Sequence, residues 1–249
     1  MGALRNRQSH SFVLGSIAAL ALCASCIGVS ANRGKQAGGV SAPTLKNCPS
    51  GVVAAKDGLI DDFEDGNNKL AEVSGRNGYW FKSADPDGSE FKPDELSFVD
   101  GGAEHPGKVL HVSGGTSSAP KAWGVLVGVN FAGDKAYDAS RYVGISFKAK
   151  VGPGGTPSVR FKIGDINTHP DLGVCTACWN HFGKDMSLTA EWKEYKVLFN
   201  QARQEPYWGA PKPDSITTNA LYSLDFTIKP SQTFDLWVDD IQFLVCGDG

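Results

Sequence analysis

Short segments in which apolar and polar residues alternate one by one dominate the chain after its first fifty residues. Val159, Phe161 and Ile163, for example, alternate with Arg160 and Lys162. A period of two puts one residue type on each face of a strand, so each segment predicts a half-buried antiparallel strand. The same alternation recurs at 123–131, 145–150, 195–199, 224–228 and 234–238. With Gly, Pro, Asp and Asn between the segments, about ten strands at this spacing predict an all-β jelly-roll β-sandwich.

The alternation also predicts which side chains are buried. Trp123 shares its face of the segment 123–131 with valines and a phenylalanine, so we expect it in the core. Arg160, Lys162 and Asp225 occupy the polar faces of central strands. A groove on the outer surface of the sheet would have these three side chains available to it.

The last predicted strand changes phase at Asp239 and Asp240. The apolar residues up to Val238 point one way, and the next pair, Ile241 and Phe243, is one step out of register. One extra residue restores the register, which is typical of a β-bulge. Carboxylates are unfavourable within strands. Two interpretations are open here: a sharp turn at a sheet edge, or a bulge that directs a carboxylate at a cation.

The start of the chain is typical of an exported protein. Arg5 and Arg7 precede an apolar run at 11–25, and small residues follow it, which predicts a secretory signal over 1–26. The run is shorter than the roughly 20 apolar residues of a spanning helix, so a membrane anchor is the weaker interpretation. Residues 27–47 predict a flexible linker, and 48–249 the folded domain.

The segment around Cys26 resembles a bacterial lipobox, in which the cysteine becomes a lipidated N-terminus. Cys26 follows the small residue Ser25, whereas the other candidate, Cys23, follows the bulky Leu22. We therefore expect lipidation at Cys26 and an exported protein, either held at the outer membrane or cell surface or secreted. A lipid anchor there would be its only membrane attachment.

Composition and charge narrow the classes of partner. The chain has 249 residues, a formal net charge of −3, and 30 Gly, 13 Pro and 13 Phe, which suits strands and turns. A protein that binds nucleic acid needs a basic stripe to displace counterions, and the sequence has none. We do not expect a nucleic-acid partner.

Four cysteines remain outside the predicted leader, an even number that predicts disulfides in an exported chain. Cys48 opens the domain and Cys246 nearly ends it, so the two meet if the first and last strands are neighbours. Cys175 and Cys178 then close a small loop of their own.

A zinc site is the alternative for the second pair. Cys175 and Cys178 could join His181 and His169, whose spacing suits zinc. An oxidising compartment favours the disulfide, because thiols that bind metal are more typical of the cytosol.

Four segments carry a resemblance to a known fold. They are Leu59 to Asn67 (LIDDFEDGN), Gly75 to Trp80 (GRNGYW), Tyr137 to Lys150 and Phe234 to Ile241 (FDLWVDDI). Together they are similar to the galactose-binding-like jelly roll of family 11 carbohydrate-binding modules and of complex I intermediate-associated proteins. The segment 175–182 departs from the family 11 pattern and resembles a group of exported proteins of soil bacteria. A fold does not by itself determine a ligand.

The resemblance implies a structural Ca²⁺ near the ends of the domain. The matching oxygen donors are Glu64 from the opening strand and Asp239 from the closing bulge, with Asp62 as a further donor. Calcium takes six to eight oxygen ligands in a tolerant geometry. The alternative interpretation is a pair of solvated acidic turns.

Candidate ligand-binding residues follow from what a sugar needs, namely flat aromatic faces for its C–H surfaces and fixed polar groups for its hydroxyls. Several aromatic residues lie in Gly-, Pro-, Asn- and Asp-rich segments rather than at inward strand positions. The predicted stacking residues are Trp80, Trp179 and Trp208 with Tyr79, and the predicted hydroxyl partners are Arg160, His181 and Asp225.

The sequence therefore predicts a non-catalytic module that binds a polysaccharide, with β-glucan among the candidates and no catalytic residue. One alternative is a hydrolase. Glycoside hydrolysis needs two carboxylates across a cleft, and a metal-dependent version would use His169, Asp171 and His181. No G-x-S-x-G, H-E-x-x-H or phosphate-loop motif occurs. A surface adhesin or scaffold protein is the second alternative.

Overall fold

The computed structural model describes residues 48–247; the predicted leader, linker and lipidated Cys26 lie outside this range. The described part contains twelve strands and three short 3₁₀ helices, at Pro170–Leu172, Phe199–Gln201 and Thr218–Ala220. The strands are β1 (Val52–Asp61), β2 (Trp80–Ala84), β3 (Glu90–Phe91), β4 (Ser97–Asp100), β5 (Lys108–Gly115), β6 (Val125–Asn130), β7 (Gly144–Val151), β8 (Ser158–Asp165), β9 (Phe182–Ser187), β10 (Lys193–Leu198), β11 (Leu221–Ile228) and β12 (Thr233–Cys246). Between residues 48 and 247, no helix has the length and apolar character to cross a membrane.

Two antiparallel sheets form the domain. The seven-stranded sheet has the order β10-β7-β12-β5-β3, with β1 paired to β12 and β4 to β5. The five-stranded sheet has the order β2-β6-β11-β8-β9. Apart from β4 with β5 and β8 with β9, neighbouring strands are not consecutive in the chain, which is typical of Greek-key sandwiches. The predicted all-β sandwich is confirmed.

The core is an aromatic layer between the sheets. Phe147 of β7 packs against Phe161 of β8 and Phe226 of β11, with ring centroids 5.0 and 4.9 Å apart. All three side chains are buried. Stacked and edge-to-face aromatic pairs of this kind contribute beyond the area that they bury. The alternating pattern thus identified the inward face of the central strands.

Trp80 corrects one sequence prediction, because it belongs to this core rather than to a binding surface. It is 1% exposed, at the start of β2. Its indole N–H donates to Asp61 Oδ2 at 2.6 Å, and its ring lies 5.2 Å from that of Phe63. A fully buried ring cannot stack on a ligand.

Trp123 corrects the opposite error, because it was predicted in the core and is 41% exposed. The reason is Gly124, whose φ of +99° turns the chain just before β6 begins at Val125. A Cβ at Gly124 would overlap the carbonyl oxygen of Ile228, so only glycine fits. The turn takes Trp123 off the inward face of the strand.

The predicted bulge in the last strand is present. The pairing of β12 with β7 shifts between Asp239 and Gln242, and Asp240 has a φ of +49°. The Asp240 carboxylate pairs with Lys148 of β7, with 2.7 Å between Oδ2 and Nζ. The extra residue therefore turns a carboxylate towards a cation of the protein itself.

Both predicted disulfides are confirmed. Cys48 and Cys246 are bonded across 198 residues, with their Cα atoms 5.0 Å apart, next to the pairing of β1 with β12. Cys175 and Cys178 are bonded within the loop between β8 and β9. With both sulfurs of this second pair in a covalent bond, the zinc alternative is excluded for these cysteines.

Candidate functional site

The outer face of the five-stranded sheet forms the floor of a cavity of about 670 Å³, within the range of small-ligand sites. Strand register places its side chains in rows. Leu126, Thr227 and Arg160 lie side by side in one row. Asp225 and Lys162 are neighbours in the next row. The floor is thus built from β6, β11 and β8.

Glycines leave room on this floor for longer neighbours. A Cβ at Gly128 would lie 2.8 Å from the Cβ of Asp225, and one at Gly183 would lie 3.0 Å from Cγ of Lys162. Both distances are shorter than ordinary carbon contacts. The small residues therefore create the depression in which the charged side chains lie.

Lys162 and Asp225 form an ion pair at the centre of the floor. Their Nζ and Oδ1 atoms are 3.1 Å apart, and the Thr227 hydroxyl donates to the same Oδ1 at 2.7 Å. The Asp225 side chain is only 3% exposed. A buried carboxylate is stable when it is paired and hydrogen-bonded in this way.

Arg160 is fixed beside this pair. Its Nη1 lies 3.1 Å from Asp185 Oδ2, and its Nη2 donates to the carbonyl of Arg203 at 2.7 Å. Arg160 is buried, whereas the Asp185 carboxylate is mostly exposed. The guanidinium is held in one orientation before any ligand arrives.

Three tryptophans line the cavity around this polar floor. Trp123, Trp179 and Trp208 are 41%, 54% and 45% exposed and belong to three different loops. Large apolar rings that remain exposed next to fixed polar groups are typical of ligand sites.

Trp179 is held in an unusual backbone conformation. Its φ is +76°, a left-handed value that bulky residues rarely adopt. The disulfide ends at the preceding residue, Cys178, and the Trp179 N–H donates to the carbonyl of Thr168 at 2.8 Å. Strain of this kind persists where the surroundings impose it, and such positions cluster at functional sites.

Asn180 joins the disulfide loop to the loop that carries Trp208. Its amide donates to the carbonyl of Glu205 at 2.9 Å and also to the carbonyl of Trp208, and its Oδ1 accepts from the Glu205 N–H at 2.9 Å. Ala177 and Ala210 add a backbone bridge between the two loops. The two rings therefore belong to one connected wall.

Burial favours the neutral form of the two histidines of the cavity. Burial lowers the pKa of His181 to about 3, and its Nδ1 lies 2.9 Å from Thr168 Oγ1. Burial also lowers the pKa of His169, whose ring stacks on Tyr222 with centroids 3.6 Å apart. The Tyr222 hydroxyl donates to Asp171 at 2.8 Å, and burial, aided by that carboxylate, raises the pKa of Tyr222 to about 12.

The proposed metal-dependent hydrolase needs His169, Asp171 and His181 to converge on one ion. In residues 48–247, no set of three converging metal donors includes any of them. The histidine rings stack 5.8 Å apart instead, and Asp171 accepts the Tyr222 hydroxyl. The metal-hydrolase alternative loses its basis.

The structure brings together five of the seven predicted ligand-binding residues, which are Arg160, Trp179, His181, Trp208 and Asp225. Trp80 lies in the core, and Tyr79, although 51% exposed, is not part of the cavity lining. Sequence reasoning missed Trp123 and Glu205, which also line the cavity. The glycine after Trp123 was the one available signal that the ring leaves its strand.

The predicted calcium donors do not form one set. Asp62 accepts from the backbone N–H of Glu64, and the Glu64 carboxylate lies over Gly107. Asp239 faces Nε2 of His105, and burial raises the pKa of Asp239 to about 6. Calcium binding by Asp62, Glu64 and Asp239 stays a prediction.

One group of three converging donors exists in the part of the chain that the structure describes. It consists of His105, Asp239 and Asp240. The first two are paired with each other, and Asp240 is paired with Lys148. Both carboxylates of the bulge are therefore paired with basic side chains of the protein.

No known family profile matches the sequence, and no curated protein matches it either. Solved structures do match the fold. A family 11 carbohydrate-binding module of a cellulosomal cellulase of Clostridium thermocellum is 18% identical, with a TM-score of 0.55 over 78% of this chain and 97% of that one. A second structure of a family 11 module from that organism, in complex with a β-1,3-1,4-mixed-linked tetrasaccharide, is 16% identical, with a TM-score of 0.51 over 73% and 97%. The chain is thus similar in fold to carbohydrate-binding modules, as its sequence segments predicted.

Proposed function

We propose that this domain binds a polysaccharide chain in the groove on its five-stranded sheet, without cutting it. The observation that carries the proposal is the cavity that joins three exposed tryptophans to a fixed ionic floor. The fold supports it, because solved modules with this fold bind carbohydrate, one of them in complex with a mixed-linked β-glucan tetrasaccharide. Mixed-linked β-glucan is therefore the first ligand to test.

Each part of the cavity has a role in this binding. Trp123, Trp179 and Trp208 offer flat apolar faces to the C–H surfaces of sugar rings. Arg160 and the Lys162–Asp225 pair offer charged donors and an acceptor, which hydrogen-bond strongly to neutral hydroxyls. These cations are already paired with carboxylates of the protein. A neutral glycan therefore suits the floor better than an acidic one.

The carboxylates of the cavity favour binding over hydrolysis. Asp225 is ion-paired with Lys162, and Glu205 Oε2 accepts the indole N–H of Trp208 at 2.7 Å. These two are the only acidic residues of the cavity lining. A glycosidase needs one carboxylic acid to protonate the leaving group and a second carboxylate for water or for attack on the sugar. Both carboxylates here are engaged by the protein instead.

The predicted export would support the same function. The predicted leader would deliver the domain to the compartment in which plant and microbial polysaccharides occur. Such modules bind weakly, because ordering a flexible chain offsets much of the contact energy. We expect dissociation constants between roughly micromolar and millimolar, or about −8 to −4 kcal/mol.

Affinity electrophoresis through gels of mixed-linked β-glucan, xylan, mannan and pectin tests the proposal. The variants are Trp123→Ala, Trp208→Ala and Trp179→Gly. Glycine accepts the left-handed backbone of position 179 without strain, so this variant should remain folded. Each change should weaken binding by roughly 1–3 kcal/mol, by analogy with bases stacked on aromatic rings.

Tyr207→Ala is the matched control. Tyr207 is 95% exposed, next to Trp208, and is not part of the cavity lining. It should bind like the wild type, and urea unfolding should show that all four variants remain folded. If no polysaccharide retards the protein, or if the tryptophan variants bind normally, the groove assignment is wrong. New reducing ends during incubation would place the protein among hydrolases.

A further inference from the structure

The two ends of the groove are built differently. At one end two connections are short, with residues 152–157 joining β7 to β8 and residues 229–232 joining β11 to β12, and the connection 116–124 brings Trp123 to the start of β6. At the other end β8 and β9 are joined by the long connection 166–181, which contains the second disulfide. Four residues of this connection line the cavity, so it folds back over the outer face of the sheet.

At the end of the groove formed by the connection 166–181, a stack of aromatic rings packs on the outer face of the sheet. The His181 ring lies over Gly164 of β8, where an added Cβ would be 3.1 Å from Cε1. The His169 ring lies parallel to it at 5.8 Å and stacks on Tyr222 at the start of β11. His169, His181 and Tyr222 are all buried, so they form a closely packed wall rather than a set of loose surface side chains.

Trp179 completes the wall towards solvent. Its ring meets His169 edge-on at 4.8 Å and His181 at 5.9 Å. The buried Asp165 carboxylate anchors the connection below, because it accepts the Thr168 hydroxyl at 3.0 Å and the Thr217 N–H at 2.9 Å. The disulfide and these hydrogen bonds make the wall a fixed part of the site.

From this asymmetry, and resting on the function proposed above, we propose that the groove receives the end of a glycan chain rather than its middle. A chain laid along β8 and β11 passes over Lys162 and Asp225 and then meets the rings of Trp179, His169 and His181. A polymer that continues beyond the terminal sugar would have to pass through packed side chains. A terminal sugar stops there, with one ring face free to contact Trp179.

Binding stoichiometry separates the two modes. The probes are chains of mixed-linked β-glucan, xylan, mannan and pectin, fractionated by length, and the measurement is protein bound per chain by calorimetry. Recognition of ends predicts one protein per chain at every length. Recognition of internal segments predicts that the number of protein molecules bound per chain rises with chain length. That outcome would overturn this inference while leaving polysaccharide binding intact. Absence of binding to all four polymers would overturn both.

A blocked end gives an independent test. Short oligosaccharides of the same four polymers carry a bulky fluorophore at the reducing end in one set and at the non-reducing end in another. A clash at the wall should weaken binding at least about tenfold for one of the two sets, and leave the other close to the unlabelled sugar. Trp179→Gly should reduce that discrimination, whereas Tyr207→Ala should retain it. Equal affinities of both labelled sets would contradict recognition of a chain end.

Discussion

Lys162 and Asp225 face the groove from neighbouring strands, β8 and β11, and form an ion pair with 3.1 Å between Nζ and Oδ1. Their side chains are 14% and 3% exposed. Because the sheet register sets them opposite each other, the pair is complete without a ligand. The same two residues therefore contribute to stability and present polar atoms to whatever binds above them.

Removing one partner of this ion pair should destabilise the fold more than replacing both partners with apolar residues. Asp225→Ala leaves a largely buried ammonium without its carboxylate, and we expect a loss of about 3–5 kcal/mol in the free energy of unfolding. The double variant Lys162→Met, Asp225→Leu should recover most of that stability and still lose glycan binding. Urea unfolding and affinity electrophoresis measure the two effects separately. Equal destabilisation by the single and double changes would show that the pairing is not what matters.

The two disulfides should act on different properties. Replacing Cys48 and Cys246 by serine opens a loop of 198 residues, and the chain-entropy treatment gives up to about 5 kcal/mol of lost stability. Replacing Cys175 and Cys178 opens a very short loop, so stability should change little while the position of Trp179 loosens and affinity falls. Each pair is the control for the other, in parallel unfolding and binding measurements. A reversed pattern would contradict this division.

His181 should make stability depend on pH. Burial lowers its pKa to about 3, against 6.5 ordinarily, so the unfolded chain takes up a proton between these values and the folded chain does not. The free energy of unfolding is therefore highest above about pH 6.5 and falls towards pH 3, with a loss of roughly 3 kcal/mol by pH 4.5. His181→Gln should flatten this part of the curve. Urea unfolding at neutral and acidic pH checks it, and an unchanged slope would contradict it.

Either His105 or a bound calcium ion could stabilise the Asp239 carboxylate in the bulge. The structure pairs Asp239 with His105. If this pair alone stabilises the bulge, His105→Gln should lower the melting temperature and a chelator should leave it unchanged. Bound calcium would instead raise the melting temperature. At a hundredfold excess of calcium over Kd, it would add about 2.7 kcal/mol to the free energy of unfolding. A calcium-dependent rise that Glu64→Gln or Asp239→Asn abolishes would establish the calcium site that the resemblance implies.

Much of the fold follows from local alternation. Period-two patterning identified the central strands and their inward face, because burial of one face imposes that period. The phase slip at Asp239 and Asp240 revealed the bulge, because a strand can change faces only by adding a residue. Cysteines at the two ends of the domain predicted their own bond, since the first and last strands pair.

The errors occurred where a single residue departs from its strand. Trp80 lies in a Gly- and Asn-rich segment, yet it begins β2 and is buried. Trp123 continues an apolar alternation, yet the turn at Gly124 exposes it. In both cases one backbone angle or one strand boundary decides burial, and neither is visible in the spacing of residue types.

By itself the sequence determined the all-β class, the inward faces of the central strands, the bulge and the bond between Cys48 and Cys246. Only the tertiary structure decided which candidates share a site. Lys162 and Asp225 are 63 positions apart by number, and Trp123, Trp179 and Trp208 come from three separate loops. Their meeting depends on which strands are neighbours and on how the connection 166–181 folds back over the sheet. Those relationships are set by long-range packing, which the local pattern of apolar and polar residues does not show.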